Sequence, residues 1–172
     1  MGKNINPDSN PTMMATPPRP IPTPTPHEIP RIVVGVLIYN RDGEIFLARS
    51  HKWKNRWIIP GGHLEWGEAF DHCVKREVRE ETHLEVGDIA LIDVQESIFS
   101  QEFHEKRHMI FLDFSAQAQS SDVQLNEELQ ECSWFKPRDA LRIDLNASTK
   151  RCIEKFIEKK IEKKHAEAHQ KT

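Results

Sequence analysis

The stretch from Gly61 to Leu84, GGHLEWGEAFDHCVKREVREETHL, constrains the fold more than any other part of the chain. Read at helical spacing from Phe70, its inward stripe is Phe70, Cys73, Val74, Glu77, Val78, Glu81 and Leu84. A helix with that stripe must lie on an apolar layer, yet two of its inward positions are carboxylates, and Glu80 lies beside the same edge. Three carboxylates on one patch repel one another and are costly to desolvate, so the pattern asks for a cation. An all-oxygen donor set of this kind suits a hard divalent metal, Mg2+ first and Mn2+ as an alternative. Gly61, Gly62 and Gly67 frame the loop that enters the helix, where missing side chains let backbone come close to a metal or a phosphate.

The spacing has a family likeness. Gly62, five residues, Glu68, seven residues, Arg76-Glu77-Val78, one residue, Glu80-Glu81, one residue and His83-Leu84 resembles the Nudix box, with Trp57-Ile58-Ile59-Pro60-Gly61 leading into it. The resemblance covers roughly residues 31–150. It implies an α/β protein, specifically a Nudix-type α/β/α sandwich with a mixed β-sheet. It also implies metal-dependent hydrolysis of a phosphoanhydride, with Glu80 and Glu81 most firmly, and Glu77 close behind, as metal ligands. A backbone carbonyl from the glycine loop, that of Gly61, joins the metal shell by the same likeness, while Gly62 and Glu68 orient the loop. Arg76, four residues before Glu80, is placed to hold that carboxylate. Glu65 is either part of this arrangement or only a charge at the helix entrance. The one departure is His83, which stands where the box has glycine; histidine tolerates a left-handed helix end better than most residues, at a modest cost in stability.

Carboxylates committed to metal are poor proton acceptors, so a general base is expected outside the box. The segment Leu125-Asn126-Glu127-Glu128-Leu129 before Trp134 resembles a loop that supplies one in Nudix enzymes. Glu128 is the candidate, with Glu127, a box glutamate and the segment from Glu102 to His108 left open. Catalytic roles therefore fall on Glu128, Glu77 and Arg76. The stretch from Val123 to Lys150 resembles the nucleoside triphosphatase branch of the family, implying cleavage of a nucleoside triphosphate to a monophosphate and pyrophosphate. A nucleotide-sugar or ADP-ribose hydrolase is the runner-up, and a non-catalytic nucleotide sensor is a third class that the intact REVREE disfavours. Arg49, with Arg56 or Lys52, is a candidate phosphate clamp. Trp53, Trp57, Trp66, Trp134 and Phe103 are candidate base platforms, although core or loop packing is the commoner role of such rings.

The remainder of the sequence sets limits. Nine of the eleven prolines lie in the first thirty residues, which predicts a disordered Pro-rich tail over 1–30, a catalytic domain over 31–162 and a frayed polar tail over 163–172. A docking motif for a proline-recognising partner is the alternative reading of the first tail. A formal net charge of −3 gives no general attraction to nucleic acid. No membrane-length apolar run is present, so a cytoplasmic protein is expected, its partner a nucleotide substrate, with a homodimer left open. Cys73, Cys132 and Cys152 are odd in number and lack metal spacing, so they read as reduced thiols. Ile32 to Tyr39, the turn Asn40-Arg41-Asp42-Gly43 and Glu44 to Ala48 predict a hairpin. Strands are expected over Ile89 to Phe99, Met109 to Ala116 and Ser133 to Lys136. A short helix should start at Pro137 and a last one at Ser148, its apolar positions Ile153, Phe156, Ile157 and Ile161.

Overall fold

The computed structural model describes residues 29–169. The Pro-rich segment expected over 1–30 lies, but for its last two residues, outside them. In chain order the elements are β1 (Arg31–Tyr39), β2 (Ile45–Ser50), β3 (Arg56–Ile58), β4 (Gly61–His63), α1 (Phe70–Thr82), β5 (Val86–Ile98), β6 (His108–Ala118), β7 (Leu129–Phe135), α2 (Pro137–Ala140) and α3 (Ala147–His169).

The predicted hairpin forms because Asn40 folds the turn on itself. Its Oδ1 accepts the N–H groups of Asp42 and Glu44 at 3.0 and 2.9 Å, and Gly43 takes the left-handed conformation that closes it (φ 79°). The strands order β3-β2-β1-β6-β5, with β4 added to β1 and β7 to β2. β1 runs parallel to β6, pairing Ile32 with Ile110 and Ile38 with Ala116, while its first half also pairs antiparallel with β4. The sheet is therefore mixed, and β1 is its centre.

Strand alternation divides the core in two. Val34, Val36, Ile38, Phe46 and Ala48 face α1, where they meet Cys73, Val74 and Val78. Leu37, Ile45, Leu47 and Ile92 face the other way, onto Cys152, Ile153 and Phe156 of α3. Helix, sheet and helix make the expected α/β/α sandwich. Beyond the reach of α1, the α1-side face of the sheet leaves Val94 and Ile98 half exposed.

Four helix ends differ from the sequence reading or refine it. His83 does end α1 in the left-handed region (φ 63°), and its N–H reaches the carbonyl of Arg79. The cap of α3 is Asn146 rather than Ser148: its Oδ1 accepts the Thr149 N–H at 2.8 Å, and Ser148 donates its hydroxyl to the same oxygen. Phe70, placed on the inward stripe, opens α1 and stays 48% exposed, its ring set against that of Phe114. α3 continues to His169 through the segment expected to fray; no apolar face is left there to pack.

Candidate active site

One cleft, about 380 Å³ in volume, opens between the glycine loop, α1 and the start of α3. Glu77, Glu80 and Glu81 project from α1 into it, so the helical spacing brings together the three carboxylates that the sequence singles out. Glu77 and Glu81 are buried, while Glu80 is open to solvent.

The glycines are needed for this approach. At Gly61 (φ 154°) a side chain would collide with the backbone of Val34. At Gly62 the place of a Cβ is taken by the Glu77 carboxylate itself. Any larger residue at Gly62 displaces the acid that the cleft is built around.

The loop is then tied down from both sides. Glu81 Oε2 accepts the Gly61 N–H at 2.8 Å. Glu68 accepts the N–H of Glu65 and holds Arg76 through two oxygens, Nε to Oε1 at 2.7 Å and Nη2 to Oε2 at 2.8 Å. The guanidinium holds the Glu68 carboxyl down at about 2. Arg76 also reaches Glu77 at 2.7 Å and the His63 carbonyl at 3.1 Å. Its contact with Glu80, the one the sequence suggests, is the longest of its carboxylate contacts at 3.4 Å. Arg76 is therefore a clamp between loop and helix before it is a partner of Glu80. Through Arg76 and the Glu65 N–H, Glu68 ties the glycine loop to α1.

Burial pushes the Glu81 carboxyl up to about 8 and raises that of Glu77, because ionised oxygens there lack the water that would solvate them. Two acids so destabilised as anions, with Glu80 beside them on the same cleft wall, offer oxygen donors that fit a hard divalent ion. Among the described residues no three His, Cys, Asp or Glu side chains already stand at metal-ligand geometry. Glu77 is turned toward Arg76 and Glu81 toward Gly61, so the acids share the cleft without converging on one point.

The second wall comes from loops. Glu128, fixed by its N–H to Asn126 Oδ1 at 3.0 Å, lines the cleft and pairs with Lys52, whereas Glu127 points to solvent outside it. Trp53 and Phe103 pack ring against ring, tilted by 50° at 4.7 Å, and line the same space. The other tryptophans do not: Trp57 is core against Phe135, Trp134 packs edge-on to Phe46, and Trp66 stands free in solvent.

Neither arginine proposed as a phosphate clamp reaches the cleft. Arg49 alternates to the Leu47 side of β2, where it meets Glu131 at 3.2 Å, the Asn55 carbonyl and the ring of Trp57. Arg56 pairs with Glu102 and with Asp144 at 3.4 Å. Lys52 is the cation from that group that lines the site.

The sequence reading missed Asp113 on the cleft floor. It is 1% exposed, bonded to Gln95, and its carboxyl is pushed up to about 7 by burial. Gln95 in turn donates to the Ser148 carbonyl at 3.0 Å, fastening the start of α3 to the sheet. Its only sequence signal is a lone acid within the apolar strand Met109 to Phe114.

A mixed sheet between helices, with an acidic helix edge and a glycine loop around one polar cleft, is the architecture of a phosphoanhydride hydrolase. The comparisons with known proteins agree. Residues 29–156 match the NUDIX domain. A nucleoside triphosphatase NudI from Escherichia coli K12 is 30% identical over 137 residues, covering 72% of this chain and 94% of that protein. The MutT NUDIX hydrolase from Burkholderia pseudomallei superposes with a TM-score of 0.63 at 27% identity, over 74% of this chain and 98% of its own. The MutT protein from Methanosarcina mazei Go1 does so at 0.63 and 29%, over 77% and 97%. The chain belongs to the Nudix hydrolase family, enzymes that cleave phosphoanhydride bonds.

Proposed function

We propose that this protein hydrolyses a nucleoside triphosphate to a nucleoside monophosphate and pyrophosphate. The observation that carries the reading is the joining of three features in one cleft: the Glu77, Glu80 and Glu81 wall, the Glu128–Lys52 pair and the tilted Trp53–Phe103 ring pair. That combination offers a polar end for phosphates and an aromatic end for a base. The 30% identity to a nucleoside triphosphatase points the same way.

Glu77, Glu80, Glu81 and the Gly61 carbonyl would hold Mg2+, or Mn2+ in its place. When bound, such an ion neutralises phosphate oxygens and makes bound water a better nucleophile. Glu128 accepts the proton of the attacking water, because it faces the cleft and is not part of the α1 acid wall. Lys52 holds Glu128 at the rim and presents its ammonium to the phosphates. Arg76 and Glu68 keep the loop and helix in register so that Glu77 stays over Gly62. Trp53 and Phe103 take the base by stacking.

Three free thiols, Cys73, Cys132 and Cys152, suit a reducing, cytoplasmic setting. No helix among the described residues is long and apolar enough to cross a membrane.

The test is a panel of nucleoside triphosphates, nucleotide sugars and ADP-ribose with Mg2+, with products read by 31P NMR. Triphosphates are expected to yield monophosphate and inorganic pyrophosphate. Turnover of sugar conjugates alone, or none in the presence of Mg2+ or Mn2+, would overturn the reading.

A further inference from the structure

Three separate parts of the cleft meet at a residue that does not line it. Glu102 sits in the connection between β5 and β6, and its two oxygens go to different elements. Oε1 pairs with Arg56 of β3, while Oε2 accepts the N–H of Ala147 at 2.9 Å, the first residue of α3. A carboxylate at that point satisfies one of the unpaired N–H groups of a long helix and is favoured by its dipole. Arg56 is held in turn by Asp144 at 3.4 Å, just before the same helix.

The position of Glu102 in its loop gives these bonds their consequence. Phe103 follows it directly and lies on Trp53, and the His104 N–H donates to the carbonyl of Lys52 at 2.9 Å. Asn146, Ser148 and Thr149, at the start of α3, line the cleft from the other side. Within the loop, the Glu102 N–H reaches Ser100 Oγ at 3.1 Å and a Phe99–Arg107 backbone bond closes its base. Glu102, the Phe103 ring on Trp53 and the His104 N–H thus tie the loop tip to other elements.

We infer that Glu102 is a positioning residue: with Arg56 it latches the β5–β6 loop to the N-terminus of α3 and so sets the gap between Phe103 and the helix into which the substrate's base must fit. The inference rests on the proposed nucleotide substrate for its kinetic consequence, though not for the latch itself. Arg56 acts here as the other half of the latch, touching no phosphate.

The experiment uses Glu102→Gln, Arg56→Ala and the double variant in the full chain. Glutamine keeps an acceptor for the Ala147 N–H and nearly the same volume, so the fold should persist, and thermal unfolding checks that it does. Hydrogen exchange of the His104 amide reads the latch without any substrate. Protection is expected to fall about tenfold or more in each single variant, as for loss of a charge-assisted bond, and no further in the double variant. In nucleotide hydrolysis, KM should rise about tenfold with kcat nearly unchanged, again without additivity. Unchanged His104 protection, or additive effects of the two substitutions, would overturn the latch. A fall in kcat at constant KM for Arg56→Ala would return that arginine to the phosphates. Wild-type protein that turns over no triphosphate would refute the proposed function instead, leaving the exchange result to judge Glu102.

Discussion

Glu81→Gln separates the stability of the site from its chemistry, and the two should move in opposite directions. The wild-type carboxyl is buried and pushed up to about 8, against 4.5 for an exposed glutamate. Below pH 4.5 it is protonated whether the chain is folded or not, and it costs nothing. Between 4.5 and 8 the unfolded chain ionises it while the folded protein holds it neutral, so stability falls as pH rises; above 8 the loss is complete. The interval corresponds to about 5 kcal/mol at its ceiling and to about 3 kcal/mol at pH 7. Glutamine does not titrate, and its carbonyl still accepts the Gly61 N–H. The variant should therefore match wild type near pH 4 and exceed it increasingly up to pH 8 when metal is chelated. Denaturant unfolding in EDTA across that range measures the difference. Adding Mg2+ should reverse the order, since a bound ion stabilises only the protein that can supply the charge. Turnover should nearly vanish in the variant. A variant less stable than wild type at every pH would refute the burial argument, and one with wild-type turnover and Mg2+ affinity would remove Glu81 from the site.

Four further outcomes follow from the geometry. Glu128→Gln should lower kcat by about 10²- to 10⁴-fold and flatten the acidic limb of the pH–rate profile, while Glu127→Gln leaves both unchanged; steady-state kinetics at saturating Mg2+ compares them. Gly62→Ala should remove most of the activity at little cost in thermal stability, because the new methyl displaces only the flexible end of Glu77; kinetics and thermal unfolding compare the two. Arg76→Lys loses the two-oxygen grip on Glu68 and should reduce kcat/KM by about 10- to 100-fold. Its stability profile should also lose the acid-side fall of wild type, which comes as Glu68 protonates between the unfolded value of 4.5 and about 2. Asp113→Asn should gain stability over wild type as pH rises from 3.8 to about 7, by at most about 4 kcal/mol, seen in urea unfolding at pH 5 and pH 8.

What could be read from the sequence is what period and spacing encode. The three acids of α1 meet because residues three and four apart share a helix face, and the Asn40 turn closes because its side chain bonds its own backbone. The arginines were misplaced for a different reason. Arg49 stands near the end of β2, but which face of that strand opens onto the cleft depends on β3, β7 and α3. Arg49 falls on the Leu47 side, against Trp57 and Glu131. Glu127 and Glu128 are equivalent in composition and separated only by the direction in which one turn exits from Asn126. Asn146 displaces Ser148 as the cap by two residues, within the usual uncertainty of a helix start. Asp113 was invisible because its meaning depends on Gln95 and α3, both distant in the chain.

The parallel pairing of β1 with β6 has a kinetic consequence. Ile32 waits for Ile110, so the central strand of the sheet has one neighbour missing until most of the domain has left the ribosome. In that interval the hairpin, the glycine loop and α1 can form local contacts, but the floor of the cleft, Phe111 and Asp113, does not yet exist. A chain halted before residue 108 would carry every acid of the box and no pocket to use them in, with the apolar edge of β1 open to other chains. Catalytic competence is thus acquired in one late step, when β6 docks and the α3 start closes over it.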